Sequence, residues 1–387
     1  MPAEMDSERD ALIRRELGSF GLGAILAWFP EDLVITGGTW SCLGTNLCLY
    51  PIDGQPVYYM APNEPEDSCP PGFLPHRFAM EPGNWTDLRA KLRADLGRLG
   101  LTDRKIGVAR DGGQHAVTSF PGESPLFGME QTQIVTEDLN TVDANALFTR
   151  IGLVKTRREI DRIRIANTVA GAGIAAFYAS VEAGRSEAEV AAIIEEAIQS
   201  RSGKDGCRLA RAWAMVQGGR HIYQAGTFSR SSGNLLGQGD MVLLELGTCV
   251  DGYWSDLTRT ACVGKANERQ RALLTAVQGA QATAMAAARP GVTHEEVDRA
   301  ARSYLESRGF GAGFTHNCGH HVGFRYHDRG PTLQKGSAAP LESGMVITIE
   351  PGCYGAEFGG GCRFEDNILI TENGMEVLSP KELTWRE

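Results

Sequence analysis

Two textures of apolar and polar positions divide the chain near residue 150. Beyond it, residues 156–182 place Ile160, Ile163, Ile165, Ala166 and Val169 at helical spacing with Lys and Arg opposite, which predicts a long amphipathic helix. Ser186 and Glu189 form a capping-box pattern that opens a second helix ending before Gly203. Residues 267–288, closed by Pro290 and Gly291, predict a third. Thr293 and Glu296 cap a fourth that stops at Gly309. Strand-like runs at 213–216, 241–246, 260–263, 345–349 and 367–371 lie between and after these helices. Helix pairs alternating with extended runs predict an α+β domain over residues 151–387, its sheet covered by helices on one side. Residues 1–150 read as a smaller α/β domain. It has helices at 10–17 and 87–99, strands at 24–28, 33–36, 57–60 and 105–109, and a Pro- and acid-rich loop at 63–73.

Composition narrows the function classes. With 38 basic and 48 acidic residues in 387, the formal charge is 38 − 48 = −10, which argues against nucleic acid and anionic membrane as partners. There is no run of about 18 apolar residues to span a bilayer, and residues 1–8 are polar and acidic rather than a secretion signal. Nine cysteines without a CxxC pair fit a reducing, cytoplasmic setting. The 47 glycines are well above the roughly 7% of average usage and imply many tight turns.

The chemistry-bearing residues of the second half are expected at strand ends and adjacent turns. Glu245 closes the apolar run 241–245, and Asp256 follows 256 − 245 = 11 residues later, ahead of Leu257-Thr-Arg-Thr260. Gly319-His320-His321-Val-Gly323 leads to His327 and Asp328. Glu350 ends the run 347–349, and Gly361-Cys-Arg363-Phe-Glu365-Asp366 precedes the last strand. A carboxylate ending a buried strand is costly unless a cation neutralises it. Four segments with the same oxygen-rich ligand chemistry suit divalent ions such as Mn²⁺, Co²⁺, Fe²⁺ or Zn²⁺.

The order of these motifs over residues 153–380 is similar to the pita-bread metallopeptidases, in the branch of creatinase, prolidase and Xaa-Pro aminopeptidase. The resemblance implies an α+β pita-bread catalytic domain preceded by a creatinase-type α/β domain, and a homodimer. It implies two divalent metal ions, most readily Mn²⁺, on Glu245, Asp256, His320, Glu350 and Glu365. Two ions sharing a water lower its pKa and stabilise the developing oxyanion. Glu350 would then shuttle a proton, His327 would meet the carbonyl oxygen, and Arg363 would support the bridging carboxylate. Trp40 would wall the pocket from a partner's N-terminal domain.

Two departures bear on the substrate. Glu245 stands where the family has Asp, one methylene longer. The family's substrate-facing histidine, 17 residues earlier, would fall at 245 − 17 = 228, which is Phe228 and implies a changed substrate pocket. His221, 245 − 221 = 24 residues upstream, would face the substrate if a longer loop brings it round. The expected activity is hydrolysis of an amide bond in a small peptide, as in a Xaa-Pro aminopeptidase or prolidase. The alternatives are a hydrolase or lyase of a small compound (ectoine, creatine or a sulfonium osmolyte) on the same scaffold, and an inactive pita-bread binding module.

Overall fold

Residues 4–40, 46–79, 85–110, 129–225 and 231–380 are described by the structure, a computed structural model. The chain divides into two units, Met1–Gly152 and Leu153–Glu387.

The first unit runs α1 (Ser7–Ser19), β1 (Ala24–Ala27), α2 (Pro30–Gly37), β2 (Leu47–Pro51), β3 (Val57–Met60), β4 (Leu74–Arg77), α3 (Thr86–Arg98), β5 (Ile106–Val108), α4 (Met129–Thr136), β6 (Thr141–Asp143) and α5 (Asn145–Leu153). Its six described strands form a mixed sheet ordered β4-β3-β2-β1-β5-β6. The expected strand at 33–36 is a correction, because those residues lie in α2. Pro30 presets the first turn, Glu31 and Asp32 complement the helix dipole, and Gly38 ends the helix in the left-handed region at φ 69°. A short apolar run carries no period that separates a buried helix from a strand.

The second unit opens with α6 (Arg157–Ser180) and α7 (Glu187–Gln199), then the antiparallel sheet β7 (Ala210–Gly218), β8 (Met241–Val250) and β9 (Tyr253–Cys262). A second helix pair, α8 (Glu268–Ala287) and α9 (His294–Ser307), is followed by β10 (Val346–Ile349), β11 (Gly352–Gly355), β12 (Gly360–Arg363), β13 (Asp366–Ile370) and β14 (Met375–Val377). Capping boxes at Thr156, Ser186, Asn267 and Thr293 set all four helix starts.

Alternation along β8 divides its side chains between two environments. Val242, Leu244, Leu246 and Val250 pack with Val169, Ile174, Phe177 and Ile194 of α6 and α7. Met241 and Leu243 point the other way, into a core shared by α8, α9 and β10–β13. Polar residues on that second face therefore lie between the two helix-backed layers. No helix among the described residues is long and apolar enough to cross a membrane.

Candidate metal centre

The β8–β9 hairpin places two of the acids. Glu245 pairs with Thr258 and Gly247 with Asp256, so Glu245, Thr258 and Asp256 share one face of the sheet. Both acids sit within strands rather than at strand ends, which corrects the expectation. The run continues through Thr248, Cys249 and Val250 until Asp251 and Gly252, both at positive φ, turn the hairpin. Asn367 ties Asp256 to β13. Its Nδ2 donates to the Asp256 carbonyl at 2.7 Å, and its Oδ1 accepts from the Asp256 amide at 3.2 Å.

Three other segments complete the cluster. Glu350 follows β10, and its amide donates to the Cys318 carbonyl at 2.9 Å. Glu365 lies between β12 and β13, and its amide donates to the Thr258 carbonyl at 3.1 Å. His320 Nδ1 is 2.9 Å from the His321 carbonyl. That acceptor fixes the proton on Nδ1 and leaves Nε2 facing Asp256 Oδ2 at 3.3 Å and Glu350 Oε1 at 3.5 Å.

Ligand atoms from Asp256, His320 and His327 lie within 4.8 Å of one another; so do those from His320, Glu350 and Glu365, and from Glu245, Asp256 and Glu365. Asp256 and Glu365 are wholly buried, at 0% exposure. Neither Asp256 carboxylate oxygen, nor Glu365 Oε1, has a hydrogen-bond donor among the described residues. The Tyr326 hydroxyl lies near Asp256 too, but its single proton goes to Glu245 Oε1.

Without a cation the cluster is short of positive charge. Burial, followed by the fields of Glu245 and Glu350, pushes the Asp256 carboxyl well above the usual range. Burial and then Asp256, Glu350 and Glu245 do the same to Glu365. Burial also raises Glu350, outweighing His320 and Arg363. Glu245 behaves differently: burial pushes it up, but Arg363 with the Tyr326 and Thr258 hydroxyls more than offsets this and holds it below the ordinary range. Thr258 Oγ1 lies 2.7 Å from both Glu245 Oε2 and Glu365 Oε2, and one hydroxyl proton cannot serve both. Buried, donorless carboxylate oxygens beside an imidazole lone pair fit a divalent cation.

Arg363 pairs with Glu245, donates from Nε to Thr258 Oγ1 at 2.9 Å, and lies 3.9 Å from Glu350. The His327 ring stands edge-on to His320 with centroids 4.0 Å apart. His221 does not enter these groups; its Nδ1 is 2.9 Å from Glu187, and the ring is half-exposed. Trp40 is half-buried in the first unit, and Phe228 lies outside the described residues. Cys318, Cys353 and Cys362 are buried free thiols.

Sequence reasoning missed four neighbours. Tyr326 and Thr258 contact Glu245 directly. Tyr354 accepts from Arg363 Nη1 at 3.1 Å and donates to His316 Nε2 at 3.0 Å. Burial, with Arg363 adding to it, pushes the His316 imidazole down to about 3, so it stays a neutral acceptor. Thr258 lies inside a quoted motif, and His316 precedes the His320 pair by four residues; that proximity was the available signal.

The model of metallopeptidase family M24 matches residues 161–372. The Xaa-Pro dipeptidase of Pyrococcus furiosus is 36% identical over 230 residues, covering 59% of this chain and 64% of that protein, less than two thirds of its length. The putative dipeptidase YkvY of Bacillus subtilis is 34% identical over 260 residues, 67% of this chain and 69% of that one. Among solved structures, the prolidase from Pyrococcus furiosus aligns with a TM-score of 0.76 at 25% identity, over 95% of this chain and 99% of that chain. The Xaa-Pro dipeptidase from Bacillus anthracis aligns at 0.80 and 24% identity, over 98% and 99%. The expected α+β pita-bread domain, preceded by a smaller α/β domain, is borne out by these likenesses.

Proposed function

The chain belongs to metallopeptidase family M24, and from that premise we propose that it is a divalent-metal-dependent hydrolase of Xaa-Pro peptide bonds. The observation that carries the reading is the set of buried Asp256 and Glu365 oxygens without a donor, facing His320 and Glu350. Relatives named Xaa-Pro dipeptidase and prolidase support the substrate class. Asp256, His320, Glu350 and Glu365 would hold the metal, with Glu245 as the remaining acid of the set. The reading extends to Mn²⁺ as the resident ion, a small peptide as substrate, a homodimer and the cytoplasm.

A divalent ion there supplies a carbonyl polariser and a water acidic enough to attack near neutrality. The residues supply the rest. Glu350, 3.5 Å from His320 Nε2, takes the proton of the attacking water and passes it to the leaving nitrogen. His327, packed edge-on against His320, donates to the carbonyl oxygen as charge builds there. Arg363 keeps Thr258 and Glu245 oriented beneath the acids.

The test is hydrolysis of Ala-Pro and a panel of Xaa-Pro dipeptides by metal-loaded protein, alongside ectoine, creatine and sulfonium compounds. Proline-dipeptide turnover that disappears with chelator supports the reading. Turnover of an osmolyte with no peptide cleavage under Mn²⁺, Co²⁺, Zn²⁺ or Fe²⁺ overturns it in favour of the small-compound alternative that Glu245 motivates. A protein that binds no metal and turns over nothing overturns the reading in favour of the binding-module alternative.

A further inference from the structure

The acids and the imidazole that the resemblance treats as one ligand set differ in how they are held. Asp256 and Glu365 carry buried oxygens without a donor. Glu245 is saturated by protein: Oε1 accepts from the Tyr326 hydroxyl, and Oε2 accepts from Arg363 Nη2 with Thr258 Oγ1 at 2.7 Å. Arg363 is fixed from behind by the Tyr354 hydroxyl at 3.1 Å and the Ala225 carbonyl at 3.2 Å.

Tyr326 reaches Glu245 because Gly247, two residues along the same strand face, has no side chain. A Cβ there would lie 2.8 Å from the Tyr326 ring. Trp213, paired with Gly247 across the sheet, and Trp254 hold that ring at centroid distances of 5.5 and 6.2 Å. The extra methylene of glutamate carries the carboxylate toward the guanidinium and the phenol. Arg363 then cancels the charge of Glu245, and three carboxylates with His320 remain for a cation.

We infer that Glu245 anchors Arg363 and Tyr326 instead of ligating metal, so that this chain holds one divalent ion tightly, on Asp256, His320, Glu350 and Glu365. The inference rests on the metal-dependent reading above. A second ion beside Glu245 would displace the phenol proton and sit against a guanidinium, so it has no high-affinity place.

The test is stoichiometry, read by equilibrium dialysis of the metal-stripped full chain against Mn²⁺ with elemental analysis. Wild type is expected to saturate at one equivalent, with any second ion far weaker. Tyr326→Phe removes the competing proton and Glu245→Asp shortens the acid away from Arg363; each is expected to tighten the second ion by roughly 10- to 100-fold, the scale of outer-shell changes. Glu245→Gln is expected to leave the first equivalent in place, with circular dichroism reporting that the chain is folded. Two equivalents of comparable affinity in wild type overturn the inference and leave the peptidase reading standing. Loss of the first ion in folded Glu245→Gln also overturns it. No bound metal in wild type overturns the metal-dependent reading itself, and this inference with it.

Discussion

Two buried charged clusters lie close together in the second unit and are built on opposite principles. Behind the loop that carries Tyr326 and His327, Lys155 has a fully buried side chain and pairs with Asp328 at 2.9 Å. Asp328 Oδ1 also accepts from the amides of Phe324 and Arg325, at 3.0 and 2.7 Å. Beside it, His294 Nδ1 is 2.7 Å from the Ala339 carbonyl, and His294 Nε2 is 2.9 Å from His321 Nε2. The carbonyl requires a proton on His294 Nδ1, so in the neutral pair His321 donates and His294 accepts. In front of the loop, Asp256 and Glu365 are as deeply buried, yet both Asp256 carboxylate oxygens and Glu365 Oε1 have no donor among the described residues. In the rear cluster His321 Nδ1 also lacks a partner among the described residues, but its ion pair is satisfied. A satisfied ion pair fixes a loop, whereas buried donorless carboxylates are completed by something that binds.

The largest effect that would sharpen this contrast is on chemistry. Asp256→Asn keeps the shape and removes the charge of a proposed ligand. It is expected to lower kcat/KM on a Xaa-Pro dipeptide by about 10⁴, or ~5.5 kcal/mol of transition-state stabilisation. The same variant should be more stable than wild type when both are stripped of metal, because a neutral amide avoids the cost of holding the buried carboxyl protonated. Equal activity, or a less stable stripped variant, would break the contrast.

Behind the loop the sign reverses. Lys155→Met leaves Asp328 buried with only the two backbone amides as partners and is expected to cost about 3–5 kcal/mol in urea unfolding. Lys155→Met with Asp328→Asn should recover much of that loss. A single-variant cost below roughly 1 kcal/mol, the range of exposed pairs, would mean the pair is not acting as a buried anchor. Smaller again, His294→Leu removes the acceptor for His321 Nε2–H and should cost about 1–3 kcal/mol. Thermal unfolding with metal present reads it.

The contrast also explains what was legible in the sequence. A metal-competent set restricts residue types at motif spacing, so the proposed ligands Asp256, His320, Glu350 and Glu365 stand out along the chain by residue type and order. The helix starts were legible because capping boxes are local. The second cluster was not: Lys155 sits in a Lys-Thr-Arg-Arg-Glu run that reads as a solvated face, and its partner lies 173 residues away. Tyr326 was hidden for a related reason. Its role exists because Gly247 leaves room beneath its ring, a pairing that no local pattern encodes. Glu245 and Asp256 were expected at strand ends because a carboxylate interrupts the apolar run, whereas the Asp251-Gly252 turn extends both strands.

The smallest effect tests the front cluster through pH. Asp256 and Glu365 have folded-state pKa values well above their ordinary ones, through burial and then neighbouring carboxylates. In the metal-free protein the folded state therefore keeps protons that the unfolded state has released, and stability must fall as pH rises. The histidines pushed down by burial, His294, His316 and His321, act oppositely, but only below their unfolded pKa of about 6.5. The lowered Glu245 carboxyl likewise matters only in acid. Above about pH 6.5 the raised acids decide, with a slope of up to ~1.4 kcal/mol per pH unit for each until it ionises in the folded state. Saturating Mn²⁺ ionises them in the folded state and should flatten that slope. Urea midpoints across this window, with chelator and with Mn²⁺, measure the difference. Parallel pH profiles in the two conditions would show that the front cluster is as self-contained as the one behind the loop.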